Sequence, residues 1–219
     1  MATAIIGTGH IGKAVATHLA AGGETVVLAS NTPANAEQLA RDLGSRASAA
    51  SVADAIEQAD TVIFAVWLDS IKELVVNNAD RLPGKVVIDP SNPIAVGGDG
   101  QYSRTLPDGV SSASVIASLL PPATLLVKAF GTIGADSLAG SANRTPDRVA
   151  LFYAADESRA ESVAERLISI AGFEPVKAGG LDQAIRIEMF GDLHQFGGLD
   201  GKLLTAAEAK EALEAGVSA

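Results

Sequence analysis

The chain has 219 residues, 47% of them hydrophobic, with 22 glycines and no cysteine, enough for one large α/β core and too few for two, and without the thiols that disulfides, thiolate catalysis, iron–sulfur clusters and thiolate zinc sites require. A net charge of -10 repels polyanions, so the bulk surface suits neither nucleic acid nor an anionic membrane, and any phosphate has to be gripped locally. Three dispersed histidines argue against a metal centre, no apolar run is long enough to span a bilayer, and a first strand that begins almost at Met1 is read as a cytoplasmic chain with no leader segment.

In chain order, Thr3-Ala4-Ile5-Ile6 is an apolar strand that runs into Gly7-Thr8-Gly9-His10-Ile11-Gly12, and Lys13 to Ala21 has helical apolar spacing stopped by Gly22-Gly23. Strand Glu24 to Ala29, helix Ala34 to Leu43, a short strand within Arg46 to Ala50 and a capped helix from Ser51 to Gln58 follow. Thr61 to Val66 is a continuous apolar strand, as in a parallel sheet covered on both faces, with Trp67 at its end and a helix from Ser70 to Asp80. Lys85 to Asp89 is the next strand, closed by Pro90-Ser91-Asn92-Pro93. The glycine-rich stretch Ile94 to Gly109, carrying Tyr102, Ser103 and Arg104, reads as a mobile loop able to cover a site. A helix from Ser111/Ser112 to Leu120, a strand from Leu125 to Phe130 and the loop Gly131-Thr132-Ile133-Gly134 come next, and polar Ser141 to Asp147 is the best internal boundary. Strand Arg148 to Tyr153, helix Asp156 to Ala171, strand Glu174 to Lys177, a helix from Leu181 through His194 with Met189, Phe190 and Leu193 on one face, and a last helix capped by Thr205-Ala206-Ala207-Glu208 complete the reading.

Strand, Gly-x-Gly-x-x-Gly, helix is a dinucleotide-binding turn. Gly7 permits the tight turn, Gly9 clears room for a pyrophosphate, Gly12 lets the helix pack close, and the helix N-terminus faces the phosphates with its dipole. Alternating strands and helices then predict a Rossmann-type, doubly wound, mostly parallel sheet in a single domain, with residues 1–140 as the NADP-binding part and 141–219 as a C-terminal β-α-β and helical extension on the same sheet. After the second strand, Ala29-Ser30-Asn31-Thr32 has no acid to hold a ribose 2′-hydroxyl, and its hydroxyl and amide groups favour NADP(H) over NAD(H); the same residues would also serve as a turn and cap for the next helix. His10 lies in the glycine loop, within reach of a phosphate or simply solvated. Trp67 either walls the cofactor or anchors the following helix, and Asn92 either meets a carboxamide or ring edge or closes an Asx turn. No Tyr-x-x-x-Lys pair is present. The candidate acid or base is His194, paired with Asp192 or Glu188 or else a plain surface residue. Hydride exchange between two ring cofactors needs stacked rings and exclusion of water more than proton chemistry, which fits this inventory.

Gly7-Thr8-Gly9-His10-Ile11-Gly12, Ala29-Ser30-Asn31-Thr32, Asp89-Pro90-Ser91-Asn92-Pro93, Leu126-Val127-Lys128-Ala129-Phe130-Gly131-Thr132-Ile133 and Gly180-Leu181 together resemble the NADP oxidoreductases that depend on the deazaflavin coenzyme F-420 (F420), and the related cytosolic domain of six-transmembrane metalloreductases. The resemblance implies an NADPH-dependent reductase, a homodimer, that passes hydride between NADP(H) and F420 or a flavin (FMN or FAD). It implies Gly7, Thr8, Gly9, His10, Ile11 and Gly12 on the pyrophosphate, Ser30, Asn31 and Thr32 on the 2′-phosphate, and Ala65, Val66, Trp67, Asn92, Pro93, Ala129 and Phe130 around the rings. Where the family carries a serine-arginine pair this chain has Ser30-Asn31, and where the F420 enzymes place a histidine after the sixth strand it reads Phe130-Gly131-Thr132. An NADPH-dependent reductase of a small imine or carbonyl, and a non-catalytic NADPH-sensing module that binds a partner through the face around Met189 and Phe190, are the alternatives.

Overall fold

The apolar runs assemble into one sheet whose central strands are buried on both faces. A computed structural model of the chain describes residues 2–98 and 100–216. Its strands are β1 (Ala2–Ile6), β2 (Thr25–Ala29), β3 (Ala47–Ala49), β4 (Thr61–Phe64), β5 (Val86–Asp89), β6 (Ile94–Val96), β7 (Tyr102–Arg104), β8 (Leu125–Lys128), β9 (Ala150–Ala154) and β10 (Glu174–Gly179). The helices are α1 (His10–Ala21), α2 (Pro33–Leu43), α3 (Val52–Glu57), α4 (Leu68–Asn77), α5 (Ser112–Leu119), α6 (Ala135–Gly140), α7 (Ser158–Ile170) and α8 (Ala206–Gly216). Among the described residues no helix is long and apolar enough to cross a membrane.

The main sheet runs β10-β9-β8-β5-β4-β1-β2-β3, parallel throughout except where β9 turns antiparallel to β8. Alternation decides which face each side chain enters. Ile5, Leu28, Ile63, Ile88 and Val127 pack with Leu19 of α1, Leu39 of α2 and Leu167 of α7, whereas Ala4, Val27, Val62, Val87 and Leu126 pack with Ile56 of α3, Ile71 of α4 and Ile116 of α5. A third cluster joins Phe152 and Val176 to Ile187, Leu193 and Ala209 of α8. The chain leaves β1 toward β2 on one side and returns to β4 on the other, so β1 and β4 flank the switch point at which doubly wound sheets open a crevice beyond their carboxyl ends.

Two segments fold differently from the sequence reading. Ile94 to Gly109 holds an antiparallel hairpin, β6 with β7, in the register Ile94 to Arg104 and Val96 to Tyr102; its strands are three residues long, too short for periodicity to reveal. The helix expected from Leu181 through His194 is a 3-10 stretch over Leu181–Ile187, after which residues 188–201 form consecutive turns. The apolar spacing there is helical, but Gly191 packs against the carbonyls of Ile185 and Arg186, and Gly197 and Gly198 against the backbone of 190–192, so closely that a Cβ on any of them would collide. The chain folds back on itself instead, with Phe190 at φ 74°. Met189 and Leu193 are consequently buried while Phe190 is exposed, and the three share no helical face. Ser141 to Asp147 carries the chain from α6 to β9 within one continuous sheet.

Glycine is obligatory where α1 ends against α7. A Cβ on Gly22 would strike the carbonyl and side chain of Ile170, whereas one on Gly140, the last residue of α6, would meet open space. G22A is expected to lower the unfolding free energy by about 1–3 kcal/mol through overpacking, and G140A to raise it by about 0.4–1 kcal/mol by restricting the unfolded chain, both read from urea midpoints.

Candidate functional site

At the carboxyl end of β1 the three glycines occupy three different environments. Gly7 adopts φ +108°, and a Cβ there would collide with the carbonyl of Ala65 and the side chain of Val66; a Cβ on Gly12 would strike the carbonyl of Gly7, whereas one on Gly9 would meet nothing within 4 Å. Gly7 and Gly12 thus let β1, α1 and the loop after β4 touch, and Gly9 leaves space on the open side. Gly7 N–H donates to Ala29 O at 2.8 Å, which ties in β2. No acid stands in the first turn of α1 and no side chain caps it, so its amides and dipole are directed at that space without an internal anion. Thr8 and Ile11 are half-buried and His10 is exposed.

Beyond β2, Ser30 Oγ accepts from Thr32 N–H at 3.2 Å, the turn that the sequence allowed. Asn31 and Thr32 are exposed, and the Thr32 side chain makes no cap to α2. Beyond β4, Ala65 and Val66 are half-buried. Trp67 precedes α4 with 60% of its surface exposed, so it is no core anchor and its ring stands at the sheet's carboxyl edge.

The loops after β5 and β8 are also in contact, since a Cβ on Gly131 would strike the carbonyl of Pro90. Pro93, Ala129 and Phe130 are buried, and Phe130 lies wholly within the core with φ 65°; its backbone, not its ring, borders the loop. Asn92 spends both ends of its amide on the protein, Nδ2 donating to Gly131 O at 3.0 Å and Oδ1 accepting from Met189 N–H at 2.6 Å.

His194 is neither a helix-surface residue nor a partner of Asp192 or Glu188. Asp192 pairs with Arg186 at 2.7 Å, and the imidazole is 2% exposed. Phe196 N–H donates to Nδ1 at 3.0 Å, which places the ring proton on Nε2, and that proton goes to Gly131 O at 3.0 Å. Burial, opposed by the Gly131 bond and reinforced by the charge of Lys128, lowers its pKa from 6.5 to about 4. At neutral pH both nitrogens of this neutral ring are occupied within the chain.

Beneath these loops lies a buried ionic cluster that sequence reasoning missed. Lys128, 1% exposed, donates from Nζ to Asp89 Oδ2 at 2.8 Å, to Ser112 Oγ at 2.6 Å and to the carbonyl of Ser91. Glu188 Oε1 accepts from Ser112 N–H at 2.6 Å and lies 2.7 Å from Ser112 Oγ and 3.6 Å from Lys128 Nζ, while Oε2 lies 3.4 Å from Arg104 at the base of the hairpin. Two cations thus face two carboxylates, and the cluster binds β5, β8, α5, the hairpin and the turns from 188 onward. Its only sequence signal is the pairing of Asp89 and Lys128, opposite charges closing two apolar strands that turn out to be neighbours in register. Close by, the buried hydroxyls of Ser91 and Thr132 have no partner, a condition that calls for an explanation in a folded protein.

The profile of the family described as NADP oxidoreductase, coenzyme F420-dependent, matches residues 2–93. The F420-dependent NADP reductase of Methanothermobacter marburgensis is 28% identical over 192 residues, 83% of this chain and 85% of that protein. Metalloreductase STEAP3 of Rattus norvegicus is 29% identical over 184 residues, 84% of this chain but 35% of that protein, so the chain spans about a third of the metalloreductase. The solved structure of a hypothetical protein from Sinorhizobium meliloti superposes with a TM-score of 0.81 at 31% identity, covering 94% of this chain and 95% of that one.

Removing one member of the buried cluster strands its partners. K128M is expected to cost about 3–5 kcal/mol in urea unfolding, because buried Asp89 loses its counter-charge and Glu188 keeps only Arg104. For His194 the folded pKa lies below the unfolded one, so the unfolded chain binds the extra proton, and stability falls as pH drops from 6.5 to about 4. That loss amounts to about 3 kcal/mol. In H194Q, which has nothing to titrate, the stability difference between the two ends of that window should shrink by about this amount relative to the wild-type chain.

Proposed function

We propose, from the match of residues 2–93 to the profile of the coenzyme F420-dependent NADP oxidoreductase family and the likeness to F420-dependent NADP reductases, that the chain is a member of that family and passes a hydride between NADP(H) and the ring of a deazaflavin or flavin. The observation that carries this reading is the glycine cradle, in which Gly7 and Gly12 are closed by backbone while Gly9 faces open space at an uncapped helix N-terminus. Such a cradle fits a diphosphate, held by the amides of residues 8–12 and contacted by His10. Ser30, Asn31 and Thr32 stand where the adenosine ribose falls in this fold. They bring hydroxyl and amide groups and no carboxylate, so a 2′-phosphate is received without repulsion.

From the pyrophosphate the crevice runs across the ends of β4, β5 and β8, three strand spacings or ~14 Å from β1. Ala65, Val66 and Trp67 border the nicotinamide position, and the loops 90–93 and 129–134 border the acceptor. NADP(H), when bound, supplies or takes up the hydride. The chain's own residues orient the two rings and keep water from between them; with both nitrogens of His194 committed, none of the site residues named here is required to move a proton. The acceptor ring exchanges its proton with solvent.

Following NADPH absorbance while F420, FMN and FAD are added separately tests the proposal. Oxidation with at least one of them is expected, and tight NADPH binding with no hydride loss to any would instead favour a sensor. Within the cradle, G9A should weaken NADPH binding by about 1–3 kcal/mol, since its methyl enters the phosphate space, with little change in melting temperature. G12A should unfold at lower urea with or without cofactor, because its methyl strikes Gly7.

A further inference from the structure

The loop from Ala129 to Gly134 is held from outside itself. Gly131 O accepts two hydrogen bonds, from Asn92 Nδ2 at 3.0 Å and from His194 Nε2 at 3.0 Å. Thr132 O accepts from Gln195 N–H at 2.9 Å, and Gly134 N–H donates to Gln195 Oε1 at 2.7 Å. Gln195 is braced in turn by Ser137 Oγ at 3.0 Å and Gly201 O at 3.1 Å. Inside this frame Phe130 holds φ 65°, a backbone state that bulky L residues seldom adopt unless their surroundings impose it. Besides the backbone bonds of Ala129 N–H to Asp89 O and of Leu138 N–H to Gly134 O, these partners belong to residues 92, 194 and 195, and the Thr132 hydroxyl has none.

We propose that His194, together with Asn92 and Gln195, is a positioning residue that fixes loop 129–134 in the shape against which the hydride acceptor lies. The proposal rests on the hydride-transfer reading of the site and adds to it that the turns from 188 to 201 are the outer brace of the acceptor end. An imidazole suits the task only while neutral. A proton on Nδ1 would set N–H against the N–H of Phe196 and place a second cation near Lys128 of β8. The carboxylates of Asp89 and Glu188 are already bonded to Lys128 and Ser112, and Asp192, on the same segment as His194, is bound to Arg186. The one charge found to act on the ring is that of Lys128, which opposes an imidazolium.

The test uses the full chain and two readouts, amide hydrogen exchange in loop 129–134 without acceptor, and single-turnover hydride transfer at saturating NADPH. In H194A the loop amides should exchange at least about tenfold faster, and transfer should fall about 100-fold, as for a reacting group displaced by ~1 Å, with the NADPH dissociation constant within about twofold. H194Q keeps a donor for Gly131 O without a titrating ring. It should restore both readouts to within about threefold and abolish the decline in transfer toward pH 4. Wild-type exchange in H194A overturns the proposal, and so does an H194Q variant with a protected loop and the transfer rate of H194A, which would make the ring a proton donor. Should H194A fail to fold, N92D, which retains the acceptor for Met189 N–H and loses the donor to Gly131 O, must raise exchange in the same loop, or the proposal fails. A wild-type chain that binds NADPH yet reduces no acceptor refutes hydride transfer, while the exchange data still decide the role of His194.

Discussion

A single buried ammonium holds together the half of the crevice that the glycine turn does not reach. Lys128 ends β8 beside Asp89 at the end of β5, and its remaining bonds go to the Ser91 carbonyl and to Ser112, with Glu188 just beyond. Carrying such charges out of water costs several kcal/mol per ion, so the cluster is no simple source of stability; it persists because Lys128, Asp89 and Glu188 are each held by hydrogen bonds from or to their neighbours. What it provides is position. Five separated stretches, β5, β8, the hairpin, the start of α5 and the turns after 188, can satisfy the cluster only in one mutual arrangement, and that arrangement places the loops 90–93 and 129–134 edge to edge.

The other half is organised by contact, not charge. Gly7, Gly12 and Ala65 bring the backbones of β1, α1 and the β4 loop together, and the resulting cradle is neutral apart from its helix dipole. On a chain of net charge -10 this matters, because the general field opposes a polyphosphate and attraction must come from donors within a few ångströms. The empty first turn of α1, with neither acid nor side-chain cap, is the local exception to the global charge.

How much of this could be read in advance depends on how local each constraint is. The glycine turn was legible because its three roles are settled within six residues, and the core strands were legible because burial on both faces leaves unbroken apolar runs such as Thr61 to Phe64. Asn92 was singled out for its ability to donate and accept, and it does both, but toward Gly131 and Met189, 39 and 97 residues away, which no window of sequence displays. The stretch from Leu181 to His194 has helical spacing, and only the close approach of Gly191 to Arg186 and of Gly197 to Gly191 shows why the helix does not form. The burial of His194 is hidden from the sequence for the same reason, being a property of the turns around it. The partner of Lys128 is equally remote in sequence, since Asp89 lies 39 residues away.

The two halves therefore carry different information about chemistry. On the proposed reading, the cradle at residues 7–12 and the polar turn at 30–32 would act on the diphosphate and ribose end of a dinucleotide and place no constraint on the second ring, since they lie on the far side of β4 from it. The shape offered to that ring comes from β5, β8 and the turns beyond 188, where Gly131 stands without a side chain against Pro90, and Phe130 is turned into the core. A side chain at 131 could not point at an acceptor here, because its first carbon would overlap the Pro90 carbonyl. On the same reading, recognition at that end would fall to backbone groups, to the Ser91 and Thr132 hydroxyls that lack partners, and to the hold that Lys128 and His194 keep on the loops. Discrimination among acceptor rings, on this reading, would depend on how these two loops are held, a task that falls to buried residues, Lys128 and His194 among them.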